Sequence, residues 1–320
     1  MSRVLVLRAL GLGDLLTAVP ALRAVRRSFP AHRLLLAAPE SLAGAVAALD
    51  CVDELVPTVA PGREVPARVP WRGPAPELAI DLHGNGPASL RPLLALRPAR
   101  TIGYALLPPD QWAEREHERE RWCRLLRRHG MPADPTRLGI AAPAVASPAP
   151  GAVVVHPGAD AGARRWPAER FAAVARSLGD RTRVVVTAGP GEEPLAQRVA
   201  ALAGLPAGAV LAGLPFPTLS ALVAEASAVV VGDTGVAHLA TAHGTPSVVL
   251  FGPVSPALWG PPPGRRHRAL WHPDPADGAR PGDPHGAAPD ARLARISVAE
   301  VREALAEVTG GRADRTLRRP

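Results

Sequence analysis

The stretch AVVVGDTGVAHLATAHGTPSVVLF, residues 228–251, decides the fold. It opens with a β-branched run at 228–232, continues through a helical pattern at 236–243 and ends in a second apolar run at 247–251. A strand, a helix and a strand joined by short turns are typical of a parallel βαβ unit. The stretch therefore predicts a parallel sheet that is covered by helices.

The same alternation continues along most of the chain. We predict strands at 3–7, 33–37, 78–82, 101–104, 152–156, 183–187, 228–232 and 247–251. We predict helices at 15–29, 111–129, 168–178, 193–203, 218–226, 236–243 and 298–308. Pro20 is expected to kink the first helix or to mark a restart within it. Strands that alternate with helices in this way indicate a doubly wound α/β architecture.

Two segments lack these patterns. Residues 141–150 contain only Ala, Pro, Val and Ser, a composition typical of a linker. Together with the length of 320 residues, this linker predicts an N-terminal domain at 1–145 and a C-terminal domain at 146–320. Residues 261–290 are rich in Pro, Gly, Asp and His and are predicted to be mostly loop, and the end at 312–320 a frayed tail.

The positive charge does not by itself indicate a nucleic-acid partner. The net charge is +8, and all 37 basic residues are arginine. The arginines are scattered beside Asp and Glu, as in the predicted helix 111–129, which is expected to be a solvated helix with pairs four residues apart. With six Trp, four Phe, one Tyr and no RNA- or DNA-binding motif, the sequence disfavours nucleic acid as a partner.

The cysteines and the first residues bear on the cellular environment. Cys51 and Cys123 are far apart in sequence, which favours packing roles in a reduced, cytosolic protein. The apolar run at 3–7 soon reaches Arg8 and Asp14, so neither a signal peptide nor a membrane span is expected. We expect a cytoplasmic protein, at most in peripheral contact with the inner face of the plasma membrane.

A first candidate site follows the first strand. Gly11 and Gly13 occupy the place of a dinucleotide-binding turn, but the third glycine is replaced by Leu16, and the carboxylate of Asp14 would repel a pyrophosphate. At the carboxyl end of a strand, Asp14 is placed to accept a proton from a substrate hydroxyl. The alternative is that Asp14 only caps the helix.

A second candidate site follows the strand at 228–232. Asp233, Thr234 and Gly235 lead directly into a helix, whose first backbone N–H groups and positive dipole end attract an anion. Upstream, Arg164 and Arg165 lie in a loop rich in Gly and Ala, where two guanidinium groups would suit a diphosphate. The alternative for this pair is exposure to solvent.

Taken together in order, the motifs resemble glycosyltransferase family 9, the ADP-heptose:lipopolysaccharide heptosyltransferases and their relatives. The resemblance extends from about residue 3 to about residue 260. It rests on RALGLGD (8–14), PALR (20–23), DLHGN (81–85), HPG (156–158), RWPAERF (165–171), GPGEE (189–193), DTGVAH (233–238) and FGP (251–253).

The resemblance implies a GT-B fold, with two Rossmann-like doubly wound domains facing a cleft, and an inverting, metal-independent transfer. It implies no cofactor beyond a nucleotide-sugar co-substrate, most simply ADP-heptose. It also implies a saccharide or glycolipid acceptor, a role in lipopolysaccharide core biosynthesis, and a monomer. Asp14 matches the general base, in an acceptor-side loop with Gly11 and Gly13. The donor diphosphate would be contacted by Arg164, Arg165, Thr234, Gly235 and His238. The donor sugar would be contacted by Asp233, and the nucleoside by Glu192 and Leu214.

Two alternatives remain open from the sequence. An NAD-dependent oxidoreductase is suggested by Gly11 and Gly13. Leu16, Asp14 and the absence of an acidic residue at the end of the strand at 33–37 disfavour it. A catalytically silent nucleotide-sugar-binding protein would retain the same donor site. The family usually has a lysine at the position of Arg164, and this change keeps the charge but alters the geometry of the phosphate contact.

Overall fold

The computed structural model describes residues 2–60, 62, 64–179 and 181–310. The chain forms two compact units, Met1–Ala141 and Ala142–Pro320. The division falls at the start of the predicted linker, slightly before the predicted boundary at residue 145. The predicted frayed tail at 312–320 lies outside the described residues.

The N-terminal unit is built on a parallel sheet of five strands within the described residues, in the order β3-β2-β1-β4-β5. Its strands are β1 Arg3–Leu7, β2 Arg33–Ala38, β3 Glu54–Pro57, β4 Leu78–Asp81 and β5 Arg100–Ile102. Its helices are α1 Leu12–Ser28, α2 Ala43–Ala47, α3 Pro87–Leu94 and α4 Glu118–Arg128. Because the order reverses at β1 and β4, a crevice opens where these two strands end.

The C-terminal unit repeats this plan with a parallel sheet of six strands among the described residues, in the order β11-β10-β9-β6-β7-β8. Its strands are β6 Val153–His156, β7 Val184–Ala188, β8 Val210–Ala212, β9 Ala228–Gly232, β10 Ser247–Leu250 and β11 His267–Leu270. Its helices are α5 Ala168–Ser177, α6 Glu193–Ala203, α7 Phe216–Ala224, α8 Gly235–His243, α9 Pro256–Trp259, α10 Ala291–Arg295 and α11 Val298–Val308. Its strand order reverses at β6 and β9, so both units have the doubly wound arrangement that the sequence predicts.

The eight predicted strands are all present, and the three that the sequence analysis missed are β3, β8 and β11. Each of the three is at an edge of its sheet. An edge strand has a neighbour on one side only and buries fewer side chains, so it lacks the continuous apolar run that marks a central strand. β11, His267–Leu270, lies within the segment 261–290 that was predicted to be mostly loop, and the remainder of that segment contains no helix or strand.

Pro20 neither interrupts α1 nor restarts it, because one helix continues from Leu12 to Ser28 with Pro20 inside it. Proline removes one backbone hydrogen bond, at a cost of about 3 kcal/mol in an isolated helix. Leu15, Val19 and Leu22 on α1 are all fully buried. Burial of this apolar face offsets the cost of the proline.

The predicted solvated helix at 111–129 is shorter and more buried than expected. The helix begins at Glu118, and Glu118 and Arg121 are only 6% and 1% exposed. The prediction of a simple solvated face is therefore wrong for these two residues, which form a buried ion pair three positions apart. Other charges on this segment do face solvent, as expected, including the pair of Arg127 and Glu120 at 3.7 Å.

The two cysteines are packing residues, as predicted. Cys51 and Cys123 are free and buried, and burial raises the pKa of each thiol to about 12. They therefore remain protonated and unreactive at neutral pH. Among the described residues, no helix is both long enough and apolar enough to cross a bilayer.

Candidate functional site

In the N-terminal unit, the predicted acceptor-side residues lie at the start of α1, just after β1. Gly11 precedes the helix, and Gly13 and Asp14 are in its first turn. The main-chain N–H of Gly11 donates to Oδ2 of Asp14 at 3.1 Å. The capping role that was the alternative for Asp14 is therefore present in the structure.

Capping does not exclude Asp14 from chemistry. Its side chain is 8% exposed, and its Oδ1 lies 3.5 Å from a terminal nitrogen of Arg8, whose guanidinium is buried. A carboxylate that is held by a backbone donor on one oxygen and a cation near the other has a defined orientation at the carboxyl edge of the sheet. Such an orientation is compatible with the general-base role that the family resemblance implies.

The DLHGN motif forms the turn that follows β4. Asp81 is fully buried and accepts hydrogen bonds from Ser89 Oγ at 2.6 Å, from His83 N at 2.8 Å and from Gly84 N at 3.3 Å. Burial raises the pKa of Asp81. Burial, together with the charge of Arg8 and opposed by that of Asp14, lowers the pKa of His83 to about 4, so this imidazole is neutral at pH 7. The charges of Arg8 and Asp14 therefore both act on the His83 imidazole.

In the C-terminal unit, the start of α8 carries the features of an anion site. Thr234 precedes the first residue of the helix, Gly235, and its side chain makes no capping hydrogen bond. Within the described part of the chain, the buried Oγ1 of Thr234 has no hydrogen-bond partner. A buried hydroxyl without a partner is costly, so its place beside the N–H groups of a helix start indicates a polar ligand.

Arg164 lies at this same helix start. One of its terminal nitrogens donates to the main-chain oxygen of Asp233 at 3.2 Å, and the other is 3.5 Å from the Asp160 carboxylate. The buried Nε of Arg164 has no partner among the described residues. Arg165 is oriented differently, because its Nε donates to the main-chain oxygen of Ala159 at 2.9 Å. The structure thus brings Arg164 to Asp233, the residue before Thr234, whereas Arg165 bonds to the backbone of its own loop.

Asp233 and His238 lie close together at this helix end, with His238 Nε2 at 4.0 Å from Asp233 Oδ1. The ring of Trp259 contacts the His238 ring edge-on, with the centroids 6.0 Å apart. Trp259 belongs to α9, a short helix that the sequence analysis did not predict. A proline after a serine cap, as at Ser255, was the available signal for that helix.

The predicted nucleoside side of the site follows β7 and β8. Glu192 accepts from Gly189 N at 2.8 Å, and its carboxylate lies 3.8 Å from His156 Nε2. A Cβ on Gly158 would overlap that carboxylate, so the absence of a side chain at position 158 makes room for Glu192. Leu214 is half-buried just after β8, the strand adjacent to β7. Glu192 and Leu214 therefore emerge from neighbouring strands.

The loop that carries Arg164 is held by a distant segment. Ala163 N donates to Gly286 O at 2.8 Å, and Asp290 N donates to Ala163 O at 3.2 Å. A Cβ on Gly162 would overlap the main-chain oxygen of Ala287. Residues 286–290, which lie within the predicted loop segment, therefore help to position Arg164.

We expect Gly162→Ala to lower the melting temperature by a few degrees and to weaken nucleotide binding. The added methyl group meets backbone, which cannot move aside as a flexible side chain would, and overpacking of this kind costs about 1–3 kcal/mol. Thermal unfolding and calorimetric titration with ADP measure both effects. Gly264→Ala is the matched control, because no described atom lies within 4 Å of a Cβ built there. Equal melting temperatures for the two variants would contradict this account.

Part of the sequence matches a known protein family. Residues 120–278 match the family described as glycosyltransferase family 9 (heptosyltransferase). Lipopolysaccharide heptosyltransferase 3 of Escherichia coli is 35% identical over 113 residues, which cover 34% of this chain and 33% of that protein. The match thus spans about a third of the length of this curated relative. The family match includes Arg164, Glu192 and Asp233, and Asp14 lies outside it.

Solved structures resemble the chain over nearly its whole length. A glycosyltransferase family 9 structure from Veillonella parvula superposes with a TM-score of 0.76 at 19% identity, covering 96% of this chain and 97% of that one. The ADP-heptose lipopolysaccharide heptosyltransferase II of E. coli gives 0.73 at 20% identity, covering 97% and 98%. At these identities the likeness defines the fold, which is GT-B with two parallel-sheet α/β domains. The chain therefore resembles glycosyltransferase family 9, and the heptosyltransferases within it, in sequence over residues 120–278 and in fold over nearly its whole length.

Proposed function

We propose that this protein transfers a sugar, most simply heptose from ADP-heptose, to a hydroxyl of a saccharide or glycolipid acceptor. The observation that carries the proposal is the start of α8, where the buried Oγ1 of Thr234 and the buried Nε of Arg164 have no partner among the described residues. A hydroxyl, a guanidinium and a helix N-terminus match the charge and the hydrogen-bonding needs of a diphosphate.

The reaction on this proposal is a single displacement. Asp14 accepts the proton of the acceptor hydroxyl as its oxygen forms a bond to the anomeric carbon, and the bond from that carbon to the donor phosphate breaks. The electron pair of the broken bond leaves with the nucleoside diphosphate. Because attack and departure occur on opposite faces, the anomeric configuration inverts.

The C-terminal unit supplies the stabilisation of the leaving group. Negative charge accumulates on the departing diphosphate, and Arg164, Thr234 and the first N–H groups of α8 are fixed donors toward it. In our proposal, Asp233 contacts the donor sugar and His238 contacts the diphosphate, as the family resemblance implies. These donors form a metal-independent site in our proposal.

The choice of ADP-heptose is supported by the relatives. The curated relative is a lipopolysaccharide heptosyltransferase, and one of the similar structures is an ADP-heptose lipopolysaccharide heptosyltransferase. In our proposal, as the family resemblance implies, Glu192 binds a ribose hydroxyl and Leu214 lies near the adenine. The lipopolysaccharide acceptor and a cytoplasmic location are parts of the same proposal.

A thermal-shift screen tests the donor. We expect ADP to raise the melting temperature more than UDP, GDP, dTDP or NAD, because a ligand that binds only the folded state stabilises it by mass action. At a concentration of about 100 times its dissociation constant, ADP would stabilise the fold by about 2.7 kcal/mol. EDTA is expected to leave the shift unchanged. A preference for UDP, or a shift that needs a divalent metal, would contradict the heptosyltransferase proposal, and a preference for NAD would favour the oxidoreductase.

A further inference from the structure

A buried arginine joins three elements of the N-terminal unit. Arg8 follows β1 and is 1% exposed. Its Nε donates to the main-chain oxygen of Asp14 at 3.1 Å, and one terminal nitrogen donates to the main-chain oxygen of Leu82, just after β4. The other terminal nitrogen donates to Glu118 Oε1 at 2.9 Å and lies 3.5 Å from Asp14 Oδ1. One guanidinium therefore connects the start of α1, the end of β4 and the start of α4.

Glu118 is itself firmly held. Arg121 donates to its Oε2, and the indole N–H of Trp122 donates to its Oε1 at 2.9 Å. The guanidinium of Arg8 also lies 5.1 Å from the centroid of a Trp122 ring. Although burial alone would raise the pKa of Glu118, the charges of Arg8 and Arg121 hold it below its usual range. The Glu118 carboxylate is therefore ionised and keeps Arg8 in place.

Stability alone does not require such a cluster. A buried ion network can often be replaced by apolar side chains without loss of stability, because desolvation consumes much of the electrostatic gain. The specific feature here is that Arg8 contacts Asp14 twice, at the main-chain oxygen and beside the carboxylate. The second carboxylate oxygen is held by Gly11 N at 3.1 Å. Two donors that approach different oxygens determine the orientation of the carboxylate.

We propose that Arg8, anchored by Glu118, is a positioning residue that orients the Asp14 carboxylate toward the acceptor hydroxyl. This inference rests on the proposed function, in which Asp14 is the general base. A base that moves by about 1 Å from its productive position can lose about 100-fold in rate, so a fixed carboxylate has a direct consequence for transfer. Arg8 itself need not touch the substrate.

A double-mutant cycle tests the proposal. Arg8→Lys keeps the positive charge but loses the planar fork that contacts several groups at once. We expect Arg8→Lys to lower kcat by about tenfold or more in the otherwise native protein, yet by less than about twofold in the Asp14→Asn background, since the base to be oriented is then absent. Glu118→Gln should show the same pattern. ADP binding should remain unchanged, because the proposed donor contacts are in the other unit.

Arg23→Lys is the matched control, since Arg23 also lies on this unit and pairs with Asp50 at 3.1 Å on the surface. It should leave kcat unchanged. Equal fold-losses from Arg8→Lys in both backgrounds would show a merely structural role and overturn the inference, while the general-base proposal would stand. Full activity in Asp14→Asn would overturn both. If Arg8→Lys fails to fold, as reported by its melting temperature, the same cycle with Glu118→Gln decides the question.

Discussion

Asp14→Asn is expected to lower kcat by about 10²- to 10⁴-fold, the usual contribution of a positioned general base. The asparagine keeps the size of the side chain, and its amide oxygen can still accept the hydrogen bond from Gly11 N. It cannot take the proton from the acceptor hydroxyl. The loss should therefore appear in kcat, with ADP affinity and melting temperature close to those of the native protein. Steady-state assays with ADP-heptose and a truncated lipopolysaccharide acceptor measure it.

The control for this prediction is Asp50→Asn, which removes a carboxylate of the same unit whose side chain is 63% exposed and pairs with Arg23. Surface ion pairs contribute about 0–1 kcal/mol, so this variant should retain native kcat and stability. The comparison separates loss of a base from loss of any negative charge. An Asp14→Asn variant as active as Asp50→Asn would assign Asp14 to helix capping alone.

Arg164→Gln is expected to weaken ADP binding by about 10- to 100-fold. Hydrogen bonds to charged groups contribute about 1.5–3 kcal/mol, and each 1.4 kcal/mol changes a dissociation constant about tenfold. Glutamine retains a polar side chain but removes the positive charge that would face the diphosphate in the proposed donor complex. Arg164→Lys should recover part of the affinity, because an ammonium group supplies the charge without the bidentate geometry. Isothermal titration with ADP measures all three proteins.

Arg176→Gln is the matched control for this second prediction. Arg176 lies on α5 of the same unit and donates to the main-chain oxygen of Leu202 at the surface. Its removal changes the net charge by the same amount, but no feature of the proposed donor site depends on it. If Arg164→Gln and Arg176→Gln bind ADP equally well, the diphosphate is not held by Arg164.

Central strands and several helices could be predicted from local sequence patterns. Ala228–Gly232, Glu193–Ala203 and Val298–Val308 have the predicted bounds. The last of these begins with Ser297 and Glu300, whose side chains bond to each other's backbone N–H groups, a signal that lies within four residues. Buried strands carry long apolar runs, and helices carry a 3.6-residue period. Both signals are local, so they can be recognised without knowing which elements pack against each other.

The sequence by itself also determined where the candidate site residues emerge, because motifs such as DTGVAH stand between a strand and a helix. Tertiary structure decided which of them meet. The contact of Arg164 with Asp233 spans 69 residues, and that of Arg8 with Glu118 spans 110. No periodicity in the helix at Glu118 distinguishes a buried acid from a solvated one. Such a pair is stabilised only when the sheet order brings β1 beside β4 and the chain packs α4 against α1, which is a property of the folded unit and not of any local stretch.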